Sequence, residues 1–184
     1  MNDHLWTRVH RPRPGAALRL VALPPAGESA AFYRFWPGLL PDDIEVRAIQ
    51  YADGADDPGR LAAALRELVG ERVPAPYALF GHGFGAAVAH AAARELEEAG
   101  HGPVRLFVSG SPAPAGSGPV RCPVTAIVGE RDPAAGRADA RSWEETAGGG
   151  FRLRIVPGGP AYPSTERHAV IDQVLRDLRR RPYG

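Results

Sequence analysis

The chain has 184 residues, 44% apolar and 23% charged, with a net charge of +1. That length carries one domain with a full hydrophobic core, and that charge balance gives no field for nucleic acid or a membrane surface. One cysteine, Cys122, excludes an internal disulfide and fits a reducing cytosol.

The first residues, Met-Asn-Asp-His-Leu-Trp, lack the charged-then-apolar pattern of a signal peptide, and no apolar run is long enough to cross a bilayer. Leu18–Pro24 reads as a strand and Pro25–Ser29 as the loop leaving it. Ala30–Leu40 has helical spacing with Phe32, Phe35 and Trp36 on one side. Ile44–Gln50 is the next strand, and Tyr51–Pro58 an acidic loop with Tyr51 and Asp53 on its rim. Arg60–Arg72 is helical, with Leu61, Leu65, Leu68 and Val69 on one face. Tyr77–Phe80 is a strand, followed by a glycine-rich turn and a helix to Ala99. Val104–Val108 and Val124–Val128 are strands, and Cys122, at the mouth of the second, reads as a small buried residue. Ala134–Thr146 is helical, Phe151–Val156 a strand, and Thr165–Arg180 a closing helix.

Strands alternating with helices at this spacing predict an α/β fold: a doubly wound, mostly parallel sheet of about seven strands in a single domain over 1–184. In such sheets the working surface lies at the carboxyl ends of the strands. The loops there are 24–29, 51–58, 81–85, 129–133 and 157–163.

The turn Gly81-His82-Gly83-Phe84-Gly85 has the form of a Gly-x-Ser-x-Gly nucleophile elbow with glycine in place of serine. Strand and helix pack too closely there for side chains on the flanking glycines. The central residue must take a positive φ, which glycine adopts at little cost. Alternation along the strand turns His82 away from the pocket, into packing. His90 falls in the core or on the helix surface. No His/Cys spacing indicates a metal, and no glycine-rich loop reads as a nucleotide site, so no cofactor is expected.

Six segments in order carry a family resemblance: Arg19-Leu-Val-Ala-Leu-Pro-Pro-Ala-Gly-Glu-Ser29, Ile44–Tyr51, Tyr77–Gly85, Leu106-Phe-Val-Ser-Gly110, Gly129-Glu-Arg-Asp-Pro133 and Val156-Pro-Gly-Gly-Pro160. From Trp6 to about Leu178 the chain resembles the stand-alone (type II) thioesterases of polyketide and nonribosomal peptide pathways, which have the α/β-hydrolase fold. The resemblance implies a cytoplasmic protein acting on a polyketide or peptide intermediate, held on an acyl or peptidyl carrier protein or free. It sets the family's serine on Gly83, its acid on Asp132 and its histidine on Pro160. Two of those three positions carry no catalytic group, and the cleft is expected to hold no serine beside a histidine. The family's helical lid corresponds to residues 109–123, a Pro/Gly-rich stretch too short to form one, which predicts an open bowl.

Loss of a triad serine or histidine costs on the order of 10^6 in turnover in the subtilisin comparison, or ~8 kcal/mol of barrier. Ordinary covalent hydrolysis is therefore excluded. The backbone amides of Ala26 and Phe84, with Gly27 between strand and loop, would still cradle a carbonyl oxygen. Asp132 and Glu28 would form an acid/base pair if they converge; otherwise Glu28 is solvated and Asp132 caps the following segment. Tyr162 and Ser164 would offer hydroxyls near Pro160, while His168 reads as a surface helix residue. Three functions stay open: non-covalent cyclisation, isomerisation or elimination; a non-catalytic pseudo-thioesterase whose basic ends, Arg8–Arg13 and Arg176–Arg181, meet an acidic carrier surface; and slow thioester hydrolysis.

Overall fold

A computed structural model describes residues 4–73, 76–133 and 136–179. Among them, seven strands form one sheet: β1 (Leu5–Arg8), β2 (Leu18–Leu23), β3 (Ile44–Tyr51), β4 (Tyr77–His82), β5 (Leu106–Ser109), β6 (Val124–Gly129) and β7 (Phe151–Val156). Their order is β1-β3-β2-β4-β5-β6-β7. β1 runs antiparallel to β3 and every other neighbouring pair is parallel. The chain steps from β2 outward to β3, then returns to place β4 on the other side of β2. That reversal opens a crevice at the carboxyl ends of β2 and β4, where ligands of such sheets bind.

Five α-helices accompany the described strands: α1 (Pro58–Arg72), α2 (Phe84–Glu98), α3 (Arg137–Arg141), α4 (Tyr162–Thr165) and α5 (Arg167–Arg179). α1 and α2 cover one face of the sheet, with Leu61, Leu65, Val88 and Ala92 buried beside Trp143. The other face is closed by Tyr33, Trp36, Val170 and Val174. Each fully buried side chain of this size contributes roughly 1.5–3 kcal/mol relative to exposure, so a sheet covered on both sides needs no further device to hold it flat against its helices.

Local chemistry moves several boundaries. α1 begins two residues before the helical spacing starts, because Asp57 accepts from the amides of Gly59 and Arg60 and Pro58 supplies a preset φ. The predicted helix over 30–40 is two 3-10 turns, Ala30–Tyr33 and Trp36–Gly38, since Pro37 and Gly38 break any longer ladder. The predicted closing helix over 165–180 is α5, which starts two residues later, at Arg167, after the separate short turn α4. Residues 134, 135 and 180, the ends of two predicted helices, lie outside the described residues, as does Arg181 of the basic C-terminal patch.

Arg13 corrects the basic N-terminal patch. It is buried, and its guanidinium donates to the carbonyls of Pro37, Leu40, Pro41 and Ile44. A cation spent on four backbone acceptors ties the strand-to-strand corner together and is closed to a partner.

Residues 110–123, between β5 and β6, form turns and one isolated bridge from Val120 to Ala147, with no helix. Glu97 near the end of α2 fastens this connection, its carboxylate accepting from the amides of Arg121 at 2.6 Å and Cys122 at 2.7 Å. Cys122 is a buried free thiol whose pKa burial pushes well up, so it stays protonated. No helix among the described residues is long and apolar enough to cross a membrane.

Candidate functional site

β4 ends at His82, and α2 starts two residues later at Phe84. The link is Gly83 alone, with φ 54° and ψ −122°. This is the left-handed region that strains any side chain. The three glycines of the turn have different causes. A Cβ on Gly81 would strike the backbone of Gly85 and Ala86, and one on Gly85 would strike the carbonyls of Leu23 and Pro24. A Cβ on Gly83 would meet nothing nearer than the Pro25 side chain at 3.3 Å. Packing against backbone forces the outer two glycines; at the centre a side chain would need only the Pro25 side chain to shift by a few tenths of an ångström, and would carry the strain of a positive φ.

Opposite the elbow, the loop after β2 turns back on itself. The Glu28 amide donates to Pro25 O at 3.2 Å, and Gly27 has φ 78°. Ala26 sits at the corner of this turn and is exposed. Phe84 is the first residue of α2, so its amide precedes the helical ladder. The start of α2 and the loop after β2 are neighbours, since a Cβ on Gly83 would meet Pro25, and a helix N-terminus favours negative charge.

Glu28 is exposed and lines a cavity of about 460 Å³ with Ala26, Gly27, Tyr51, Asp53 and Asp56. Neither Asp132 nor Tyr162 lines that cavity. Asp132, in the loop after β6, is buried. Its charge acts on His82 and on Tyr162. The two carboxylates therefore sit in different surroundings, one solvated and one covered, and the structure does not bring them into one cavity.

Tyr162 was expected to offer its hydroxyl to a ligand. It is instead fully buried, and its hydroxyl donates to Ile127 O at 2.7 Å. Burial pushes its pKa well up, so it holds its proton. Ser164 lies on α4, and His168 is exposed on α5, as a surface helix residue should be. Pro160, at the histidine position, is exposed.

The expectation that no serine stands beside a histidine fails beneath the floor of the site. His82 Nδ1 lies 2.8 Å from Ser109 Oγ, and His82 Nε2 lies 2.9 Å from Pro160 O. A carbonyl can only accept, so Nε2 carries the proton. Burial pushes the His82 pKa below its ordinary value, against the opposing pull of Pro160, Asp132 and Ser109. The ring is thus neutral, and the Ser109 hydroxyl donates to Nδ1. His82 also stacks on Phe32, with centroids 5.7 Å apart, and meets Tyr162 edge-on at 5.3 Å. Ser109 is only 2% exposed. Its hydroxyl is engaged with the imidazole and closed off from a substrate carbonyl. His82 does pack, as alternation predicts, but it packs as the hub of a polar cluster. The missed signal was register: β4 and β5 are parallel neighbours, and His82 pairs with Ser109 at their ends.

Among the described residues, no group of three or more His, Cys, Asp or Glu side chains is disposed to hold a metal ion.

The fold and the elbow agree with the family comparison: the thioesterase domain matches residues 18–121. The chain belongs to the thioesterase-domain family. The thioesterase PikA5 of Streptomyces venezuelae is 29% identical, in an alignment covering 97% of this chain and 87% of that protein. That alignment runs to 246 positions, more than the 184 residues here, so the relative carries residues with no counterpart in this chain. A probable cadicidin biosynthesis thioesterase of Streptomyces griseus is 26% identical over 94% of this chain, which spans 66% of that protein's length. Among solved structures, the type II thioesterase BorB from the borrelidin biosynthetic cluster superposes with a TM-score of 0.85 at 27% identity, over 95% of this chain and 98% of that one. This thioesterase-domain chain thus shares the fold of a type II thioesterase while carrying glycine at its elbow.

Proposed function

We propose that this chain is a cytoplasmic, lidless, thioesterase-like protein of polyketide or nonribosomal peptide biosynthesis that binds carrier-held intermediates without cleaving them. The observation that carries the reading is Gly83: the elbow backbone is present and its nucleophile is not. Similarity to PikA5 and BorB supports the pathway class. The helix-free connection over 110–123 supports an open site that admits a bulky acyl or peptidyl group. Ala26, Gly27 and Phe84 would hold the thioester carbonyl. The hydroxyls and imidazole nearby, on Ser109, Tyr162 and His82, are bonded to one another or to backbone, which leaves no side-chain nucleophile and base at the elbow.

A non-covalent acid/base role, in cyclisation, isomerisation or elimination, rests on Glu28, the carboxylate that is exposed on the cavity beside the cradle. Asp132 would act there only through His82. Asp53 and Asp56 share that acidic rim with Glu28, and no histidine or cation lines the cavity as an opposite partner, so binding without turnover is the better-supported reading.

The test uses phosphopantetheinylated carrier domains loaded with acetyl or hexanoyl groups. The expected result is complex formation, thioester loss at the rate of buffer alone, and no mass added to the protein. Cleavage clearly above the buffer rate would overturn the reading. A product other than the free acid that disappears in Glu28→Gln would replace it with the acid/base role.

A further inference from the structure

The geometry points to a docking surface for an acidic carrier-domain helix, centred on Phe35 and flanked by Arg34 and Arg167. The inference rests on the carrier-binding reading above and names where the carrier protein sits.

Phe35 is 52% exposed, on the segment between the two 3-10 turns. Folding did not bury it, although Tyr33 and Trp36 on either side are fully buried. Two guanidiniums lie over its ring, Arg34 at 4.4 Å and Arg167 at 5.0 Å from the centroid. Arg34 comes from the same segment and Arg167 from the first residue of α5, so the cluster joins elements far apart in sequence. Trp36 pins them together by donating to Pro163 O at 2.8 Å.

Neither guanidinium forms an ion pair with a carboxylate among the described residues. Arg167 donates to Ser164 O, and its neighbour Glu166 pairs with neither cation. Two other arginines are consumed inside the fold. Arg13 is absorbed by carbonyls, and Arg154 by the buried Asp177 at 2.6 Å. Arg34 is exposed and Arg167 half-buried, and both guanidiniums stand over an apolar centre without a carboxylate. Aromatic rings and arginines are the groups that most often dominate binding energy, and a cation over a ring adds about 0.5–1 kcal/mol at an exposed site. The complement is an apolar side chain with carboxylates on both sides, as on an acidic amphipathic helix.

Position supports the same occupant. Phe32, three residues before Phe35, stacks on His82, and His82 adjoins the elbow at Gly83. The patch lies on the segment that follows the loop 24–29, and Trp36 ties that segment to Pro163 just after the loop 157–163. A carrier domain docked there would present its thioester-bearing arm to the Ala26–Phe84 cradle.

The test measures binding of hexanoyl-loaded carrier domain at several salt concentrations, for wild type, Phe35→Ala, and Arg34→Glu combined with Arg167→Glu. Trp6→Ala, an exposed aromatic on the edge strand β1, is the control. Unchanged thermal unfolding confirms that each variant folds. The expected result is at least tenfold weaker binding for Phe35→Ala and for the charge reversal, a flattened salt dependence in the reversal, and wild-type binding by Trp6→Ala. Free hexanoyl-pantetheine should bind all four alike. Wild-type carrier binding by both patch variants would overturn the docking surface and leave the functional reading intact. Absence of carrier binding by wild type, with or without pantetheine binding, would overturn both.

Discussion

The elbow and the polar cluster below it differ in what each lacks. At the elbow, a Cβ on Gly81 or Gly85 would strike backbone, whereas one on Gly83 would press only on the Pro25 side chain. Beneath it, Ser109, His82 and Tyr162 carry hydroxyls and an imidazole, yet each is bonded inward. The upper layer has access and no reactive group; the lower layer has reactive groups and no access. Hydrolysis needs both properties on one atom. Catalytic residues are therefore not inventoried by type, since a serine–histidine pair 2.8 Å apart counts for nothing under a closed floor.

The largest test of this contrast is steric. Gly85→Ala should cost about 3 kcal/mol or more, or abolish soluble expression, because its Cβ enters the backbone of β2. Gly83→Ala should cost about 1–2 kcal/mol, the strain of a side chain at positive φ. Denaturant unfolding of both variants checks the difference; equal losses would show that the centre is as crowded as its flanks.

The second test probes the closed layer through its protons. His82 and His90 are both held below the ordinary histidine value by burial, His90 down to about 4, with Arg94 adding to its shift. The native state then refuses protons that the unfolded chain takes up. Stability is full above the unfolded value of 6.5 and falls as pH drops toward 4, by about 3 kcal/mol from His90. His90 Nε2 has no hydrogen-bond partner, so His90→Phe removes this contribution without orphaning a neighbour on that nitrogen. Thermal unfolding between pH 7 and pH 4 should show a shallower fall in the variant. An identical fall would mean that the imidazole is not kept neutral.

The smallest effect separates structure from chemistry at the cluster. Tyr162→Phe leaves Ile127 O without its donor and should lower stability by about 1–2 kcal/mol. Carrier binding should not change; a loss of binding without a loss of stability would put the tyrosine back in the site.

The strands and the elbow were legible because short continuous apolar runs and the glycine spacing are local signals, and β2 through β7 fall where those runs lie. β1 was not, since Trp6 and Arg8 on its outer face break the apolar pattern of this edge strand. The 30–40 segment misled because its aromatics have helical spacing, while Pro37 decides the backbone. At the site, Gly83 and Pro160 could be placed by motif, and the cradle residues by their loops. The fates of Glu28, Asp132 and Tyr162 could not. Whether a carboxylate is solvated or a hydroxyl is consumed depends on what the next strand brings beside it, here Ile127 and Ser109.

Glu97 gives the short connection after β5 a further consequence. One carboxylate bolts the end of that segment to α2 through the amides of Arg121 and Cys122, fixing the connection where it enters β6. On the open-site reading proposed above, encounter with the cleft is ungated: arrival and departure follow diffusion and contact strength, with no slow opening step between them. A guest that stays on this surface stays because it is gripped, and leaves as soon as the grip fails.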